Sequence, residues 1–261
     1  GNLAATFAKW MLPSARSAWG IRDSKIDADQ YRWVTRLASR LLRLAAKQTD
    51  LMIFNSNAAL DHWKKLGYAV PNSVCIPNGI DTGEFCPDPA AGSTFRAKLG
   101  IPDDALLIGM VARMDPAKDY PSFLQAAAIV ARDLPNARFL CLGEGDPSYR
   151  EKLIALATEL GILGRISWPE PTRDMKAVYN SLDVFCLASH AEGFPNVVAE
   201  AMACGPHCVV SDVGDASAIT GESGWTVPPA DPSALAAALL EAAKQPQRWS
   251  GAARLRIEER F

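Results

Sequence analysis

No stretch of this 261-residue sequence stays apolar for the length a bilayer span needs, and residues 1–20 lack the basic, apolar and small-residue order of a secretory leader. The expectation is a chain that works in the cytoplasm, at its farthest against the inner face of the membrane. No Walker loop, zinc-protease helix or nucleophile elbow occurs, which removes the chemistries those patterns serve. Nor are the six cysteines (75, 86, 141, 186, 204 and 208) spaced like loop-borne pairs; most fall in apolar runs, the habit of reduced core thiols. Cys204, His207 and Cys208 cluster in sequence. However, Cys204 ends a helix, Cys208 opens the run Cys208-Val209-Val210, and no second pair follows at zinc spacing, so no metal is expected. Asp27-Ala28-Asp29 has the form of a chelating pair, yet it precedes a helix instead of ending a buried strand. It reads as negative charge at a helix start.

What is present is ordinary in bulk and uneven in detail. Hydrophobic residues make 49% and charged residues 21% of the chain, as in a soluble globular protein with room for one large domain or two smaller ones. The net charge of −2 conceals a division. Residues 1–80 carry 11 Lys+Arg against 5 Asp+Glu, a balance of +6, whereas residues 81–261 carry 16 against 24, a balance of −8. A basic first part and an acidic second part point to two units with different surroundings.

From Ala105 onward short apolar runs alternate with helical patterns. Strands are expected at Leu106–Val111, Arg138–Leu142, Arg165–Trp168, Val184–Leu187 and Cys208–Val210. Helices are expected near Tyr120–Arg132, Tyr149–Leu160, Asp174–Asn180, around Glu200, and over Pro232–Lys244. Strands that are apolar throughout, each followed by a helix, indicate a parallel sheet covered on both faces. Residues 105–261 therefore read as an α/β, doubly wound, Rossmann-like domain. Ligands of such sheets bind beyond the carboxyl ends of the strands, so the loops there carry the chemistry.

Residues 1–80 hold less. One helix sets Arg32, Arg36, Arg40, Arg43 and Lys47 on one face and Trp33, Leu37, Leu41 and Ala45 on the other. Strands at Leu51–Asn55 and Val74–Ile76 flank a helix around Ala58–Leu66. These elements read as the back half of an α/β domain, and 81–104 reads as a linker with a small helix. The basic stripe of helix 32–47 has two readings, a solvated face or a peripheral contact with anionic lipid.

The most telling stretch runs from Ser189 to Gly205. Glu192 and Glu200 are separated by seven residues, and Gly193-Phe194-Pro195-Asn196 follows the first of them. Val184–Leu187 is a buried-type strand, while Val197, Val198, Ala201 and Met202 keep helical spacing. Pro195 lies near the first helical position and Gly205 where a C-terminal cap belongs. Strand, tight loop and helix together aim backbone N–H groups and a positive dipole end at a pocket, which suits phosphate. The two carboxylates suit the hydroxyls of a sugar and a ribose, and the combination points to a nucleotide sugar.

The other strand-end loops fit that reading. Arg113 and Lys118 share the loop after Leu106–Val111, where a forked guanidinium and an ammonium would meet phosphate oxygens. Solvated loop cations are the plainer alternative. Gly143-Glu144-Gly145 follows Phe139–Leu142 without a third glycine, so it marks a tight turn where another backbone or a ligand comes close. His190 borders the pocket or is an ordinary surface histidine. Pro169-Glu170-Pro171 after Trp168 is either a rigid loop or part of base recognition.

Together these segments resemble the retaining glycosyltransferases of family four, which have the GT-B fold. The 189–205 stretch is similar to the family's glutamate pair, Val111-Ala112-Arg113 with Lys118 to its diphosphate-holding pattern, and Gly143-Glu144-Gly145 to its Gly-x-Gly near the nucleotide. Ile76-Pro77-Asn78-Gly79-Ile80-Asp81 with Phe85 and Pro87 is similar to the segment that ends the N-terminal domain. Departures occur at Pro169, where relatives often have glycine, and at Asp215 and Ala218, where they often have glycine and glutamate.

The resemblance implies a nucleotide-diphosphate sugar as donor substrate, with no cofactor, no metal and no nucleic acid. A glycan or lipid-linked glycan would be the acceptor, with retention at the anomeric carbon. Glu192 is implied as the catalytic residue in the sense of orienting the sugar. Glu200 is implied on the ribose, Arg113 and Lys118 on the diphosphate, and Gly143 beside the nucleotide. Gly193, Phe194, Pro195 and Asn196 are implied as lining the donor with backbone amides. Two other readings stand beside transfer: a GT-B-like sugar-nucleotide epimerase or sugar-phosphate synthase, and a non-catalytic donor-binding fragment.

Overall fold

The computed structural model describes residues 2–12, 14–22, 41–68, 72–245 and 251–261. Asp27-Ala28-Asp29 and the stripe residues Arg32, Arg36 and Arg40 lie outside these. Residues 1–78 with 191–194 form one compact unit, and residues 79–190 with 195–261 form a second.

The first unit comprises α1 (Asn2–Met11), β1 (Ala18–Ile21), β2 (Leu51–Phe54), α2 (Asn57–Lys65) and β3 (Ser73–Cys75). The three strands are parallel in the order β1-β2-β3, with Ala18 opposite Leu51 and Met52 opposite Ser73. Burial alternates along β1 and β2, so Trp19, Ile21, Met52 and Phe54 face one core with Ala59, Trp63 and Tyr68. Ser56 starts α2 by accepting the Ala59 N–H on its hydroxyl at 3.0 Å. Residues 41–46 are helical; Leu41, Leu44, Arg43 and Lys47 are exposed there, and Ala45 and Ala46 are buried.

The second unit runs α3 (Pro89–Lys98), β4 (Leu106–Val111), α4 (Tyr120–Asp133), β5 (Ala137–Leu142), α5 (Pro147–Glu159), β6 (Ile166–Ser167), α6 (Met175–Ser181), β7 (Val184–Leu187) and α7 (Asn196–Cys204). It continues with β8 (His207–Ser211), α8 (Ala216–Thr220), β9 (Trp225–Val227), α9 (Pro232–Ala243) and α10 (Gly251–Arg260). The six strands are all parallel in the order β6-β5-β4-β7-β8-β9. Counted from β4, this is the doubly wound 3-2-1-4-5-6 arrangement, and the order reverses between β4 and β7. Val184–Leu187 is wholly buried and β4 nearly so, as strands covered on both faces must be. α4 packs on α5 and α9; separately, α6 packs on α3 and α7, and α7 on α8 and α10.

Residues 81–104, expected as a linker with a small helix, contain α3 and group with the second unit. Arg96 of α3 is 2% exposed, and its guanidinium donates to Ser181 O at 2.7 Å, to Ala105 O at 2.9 Å and to the Asp183 carboxylate. Asp183 also accepts the Leu107 N–H at 2.7 Å. A charge this deep is tolerated because its donors are matched. Gly92 is where α3 touches α6: a Cβ there would stand 2.2 Å from Asn180 O.

Candidate functional site

The reversal of strand order puts the exit loops of β4 and β7 side by side. They are joined directly: the His190 N–H donates to Ala117 O at 2.8 Å, and His190 Nε2 lies 3.5 Å from Asp119 Oδ2. The β4 loop folds into a short 3-10 turn, Pro116–Lys118, capped by Asp115, whose Oδ1 accepts the Ala117 N–H at 2.9 Å. Lys118 closes that turn half-buried. Arg113 stands 79% exposed with its guanidinium 3.3 Å from Asp115. An ion pair so open to water is worth less than about 1 kcal/mol.

Asp119 follows with φ 53° and ψ 47°, the left-handed region that non-glycine residues seldom occupy. It is 4% exposed, caps α4 through the Ser122 N–H at 3.2 Å, and has no hydrogen-bond partner on Oδ2. Its Asp-Tyr-Pro sequence signals a cap; nothing in it signals the backbone strain.

Gly143 and Gly145 owe their identity to a crossing of main chains. A Cβ on Gly143 would stand 1.7 Å from Ala112 O, and one on Gly145 2.3 Å from Met114 O. Met114 donates its N–H to Glu144 O at 2.7 Å, and the Tyr120 hydroxyl donates to Ala112 O at 2.7 Å. Of the two expected explanations for this Gly-x-Gly, close approach of another backbone accounts for both glycines. An open hollow of about 610 Å³ runs along these loops between Arg113, Asp115, Glu144 and Tyr149. A second hollow, about 420 Å³, lies between Asp103, Asn136, His207 and Ala242. It sits at the amino ends of the strands, away from the edge where such sheets bind ligands.

After β7 the chain enters the connection that carries both glutamates. Ala191–Phe194 group with the first unit; Pro195, Asn196 and Glu200 belong to the second, as do Arg113, Lys118 and Gly143. Glu192 and Gly193 are half-buried, Phe194 and Pro195 are buried, and Asn196 is exposed. Pro195 is the cap residue of α7 and its own side chain makes no capping hydrogen bond. Gly205 ends α7 with φ 109°, as a left-handed cap should.

Glu200 lies in the second turn of α7, where its Oε2 accepts the Tyr179 hydroxyl at 2.7 Å. Burial raises its carboxyl above the ordinary range, the Tyr179 bond works against that rise, and the charge of Glu84 adds to it. Tyr179 carries no motif; its spacing in α6 is that of a core residue. Elsewhere, Arg150 ties the Pro169–Pro171 loop by donating to Trp168 O at 2.7 Å and pairing with Glu170 at 3.3 Å. Cys204 and Cys208 are fully buried, and His207 packs edge-on against Trp225. Among the described residues no group of three or more His, Cys, Asp and Glu side chains could hold a metal ion, and no helix is long and apolar enough to cross a membrane.

Comparison with known proteins agrees with this architecture. HepE of Anabaena, solved in complex with UDP, superposes with a TM-score of 0.89 at 22% identity, covering 99% of this chain and 71% of its own. WaaG, a glycosyltransferase involved in lipopolysaccharide biosynthesis, gives 0.72 at 18% identity, covering 97% and 74%. The α/β, GT-B fold expected from the sequence is therefore the fold observed. A D-inositol 3-phosphate glycosyltransferase of Saccharomonospora viridis is 32% identical over 212 residues, 77% of this chain and 49% of the relative. A GDP-mannose-dependent alpha-(1-6)-phosphatidylinositol monomannoside mannosyltransferase of Mycolicibacterium smegmatis is 27% identical over 249 residues, 91% and 58%. The chain thus spans about half the length of these curated relatives. The model of the glycosyl transferases group 1 family matches residues 105–245, more than half of the sequence, and the chain belongs to that family.

Proposed function

We propose that the protein moves a sugar from a nucleoside-diphosphate sugar to a hydroxyl of a glycan or lipid-linked glycan, with retention at the anomeric carbon and without a divalent metal. The observation that carries this reading is the join between two exit loops at the strand-order reversal. One loop bears Arg113 and Lys118, and the other leads into α7 with Glu200. Departure of the nucleoside diphosphate leaves negative charge on its terminal phosphate. A guanidinium, an ammonium and the amides of a helix start stabilise that charge as it grows. In this reading they do what a metal ion does elsewhere. Glu200 holds the ribose hydroxyls, and Gly193–Asn196 line the donor. Glu192 orients the transferred sugar, so its contribution is alignment rather than covalent chemistry. The names of the relatives support the class, since one is GDP-mannose-dependent and both transfer glycosyl groups.

Titration calorimetry with UDP and GDP tests the assignment. Arg113→Ala or Glu200→Ala is expected to weaken the bound nucleotide about tenfold or more, since each removes a charge-assisted contact. Unchanged affinity in both variants removes the assignment. A lipid-linked acceptor would bring the first unit to an anionic surface. Arg43 and Lys47 stand exposed there beside Leu41 and Leu44, and a hollow of about 560 Å³ opens between Phe7 and Leu44. Co-sedimentation with phosphatidylserine vesicles, lost at high salt, is the expected result; absence of binding at low salt rejects the contact.

A further inference from the structure

The carboxylate assigned to the ribose does not stand alone. Tyr179 is fully buried in α6, its ring 6.1 Å from that of Phe85 and 6.0 Å from that of Phe185, both edge-on. Phenylalanine would fill such a slot as well. What tyrosine adds is a hydroxyl, and this one donates to Glu200 Oε2 at 2.7 Å.

That bond answers two difficulties of Glu200. Its carboxylate turns about a soft terminal torsion, so without a fixed donor its plane wanders. It is also surrounded by groups that oppose its charge: low-dielectric packing, and Glu84 from the segment before α3. A carboxylate accepts about four hydrogen bonds, so one donor on Oε2 leaves the rest of the group for a ligand. Two adjacent hydroxyls held in one plane are what such a half-used carboxylate fits.

We propose that Tyr179 is a positioning residue that fixes the plane of the Glu200 carboxylate for a vicinal diol and so makes the site prefer ribo- over deoxyribonucleoside diphosphates. The proposal rests on the reading of Glu200 as the ribose holder, and the test separates the two.

The experiment measures binding of UDP and GDP, and of their 2′,3′-dideoxy forms, to the whole chain and to Tyr179→Phe. In the wild type the dideoxy forms bind about tenfold or more weaker, the loss of hydrogen bonds to a charged acceptor. In Tyr179→Phe the ribonucleotide falls toward its dideoxy form, and the preference shrinks to about twofold. A packing role alone would weaken both forms equally and leave the preference at its wild-type value; that result overturns the proposal. Should Tyr179→Phe fail to fold, 3-fluorotyrosine at position 179 keeps the ring and strengthens the donor. The preference then holds or rises, and its collapse overturns the proposal. A wild-type chain that binds neither diphosphate, or ignores the hydroxyls, sinks the reading of Glu200 and this proposal with it. A wild type that prefers ribose beside a variant that prefers it as strongly sinks this proposal alone.

Discussion

Helices α4 and α7 leave neighbouring strands at the point where the strand order turns back, yet they begin in opposite ways. α4 carries its own anion: Asp119 accepts the Ser122 N–H. The same device opens α5 with Asp146, α6 with Asp174 and α9 with Asp231, each carboxylate bound to a first-turn amide. α7 starts on Pro195, a residue whose side chain cannot accept a capping hydrogen bond. A helix that has filled its positive end with a carboxylate repels a phosphate, whereas one that has not attracts it. In the proposed function the anion therefore lies at the start of α7 and not at that of α4.

The sharpest way to break the comparison is to give α7 what α4, α5, α6 and α9 have. Pro195→Asp is expected to lower affinity for UDP or GDP about a hundredfold, through lost amide contacts and like-charge repulsion, while thermal melting shifts by no more than about 2 °C. Calorimetry beside a melting curve checks both halves; a variant that binds as tightly as the wild type removes α7 from the anion site. The reverse change has a smaller effect. Asp231→Ala uncaps α9 and is expected to cost about 1 kcal/mol, a fall of about 2–4 °C in Tm, with nucleotide affinity unchanged. A loss of affinity as large as that of Pro195→Asp would mean that caps act here through the fold rather than at a site.

How much of this was legible follows from how each part is packed. Leu106–Val111 and Val184–Leu187 coincide with the expected strands because both faces of the second sheet are covered and their sequences are apolar without a break. β1 escaped because it is four residues long, alternates in burial and contains Gly20; β9 escaped because it has three residues and follows Gly224. α3, α5 and α9 each begin on an Asp-Pro pair, aspartate as the cap and proline in the first turn, a signal that the periodicity reading did not use; it set the start of α5 at Tyr149, two residues late.

In the candidate site, the glutamate spacing and the loop cations could be read from the sequence. The glycines could be read as close approaches, but not which carbonyl approaches, because Ala112 comes from a loop about thirty residues earlier. The Tyr179 hydroxyl was hidden for a similar reason. Its partner is 21 residues away on another helix, and a buried tyrosine at core spacing looks like packing until the oxygen is seen.

The guanidinium of Arg96 has a practical corollary for dissecting the molecule. Cutting before Ala105, where the repeating strand-and-helix pattern begins, would strip Asp183 of its cation and bare the side of α6 that α3 covers. The second compact unit starts at Gly79, so a fragment meant to keep α3 against α6 begins there rather than two dozen residues later.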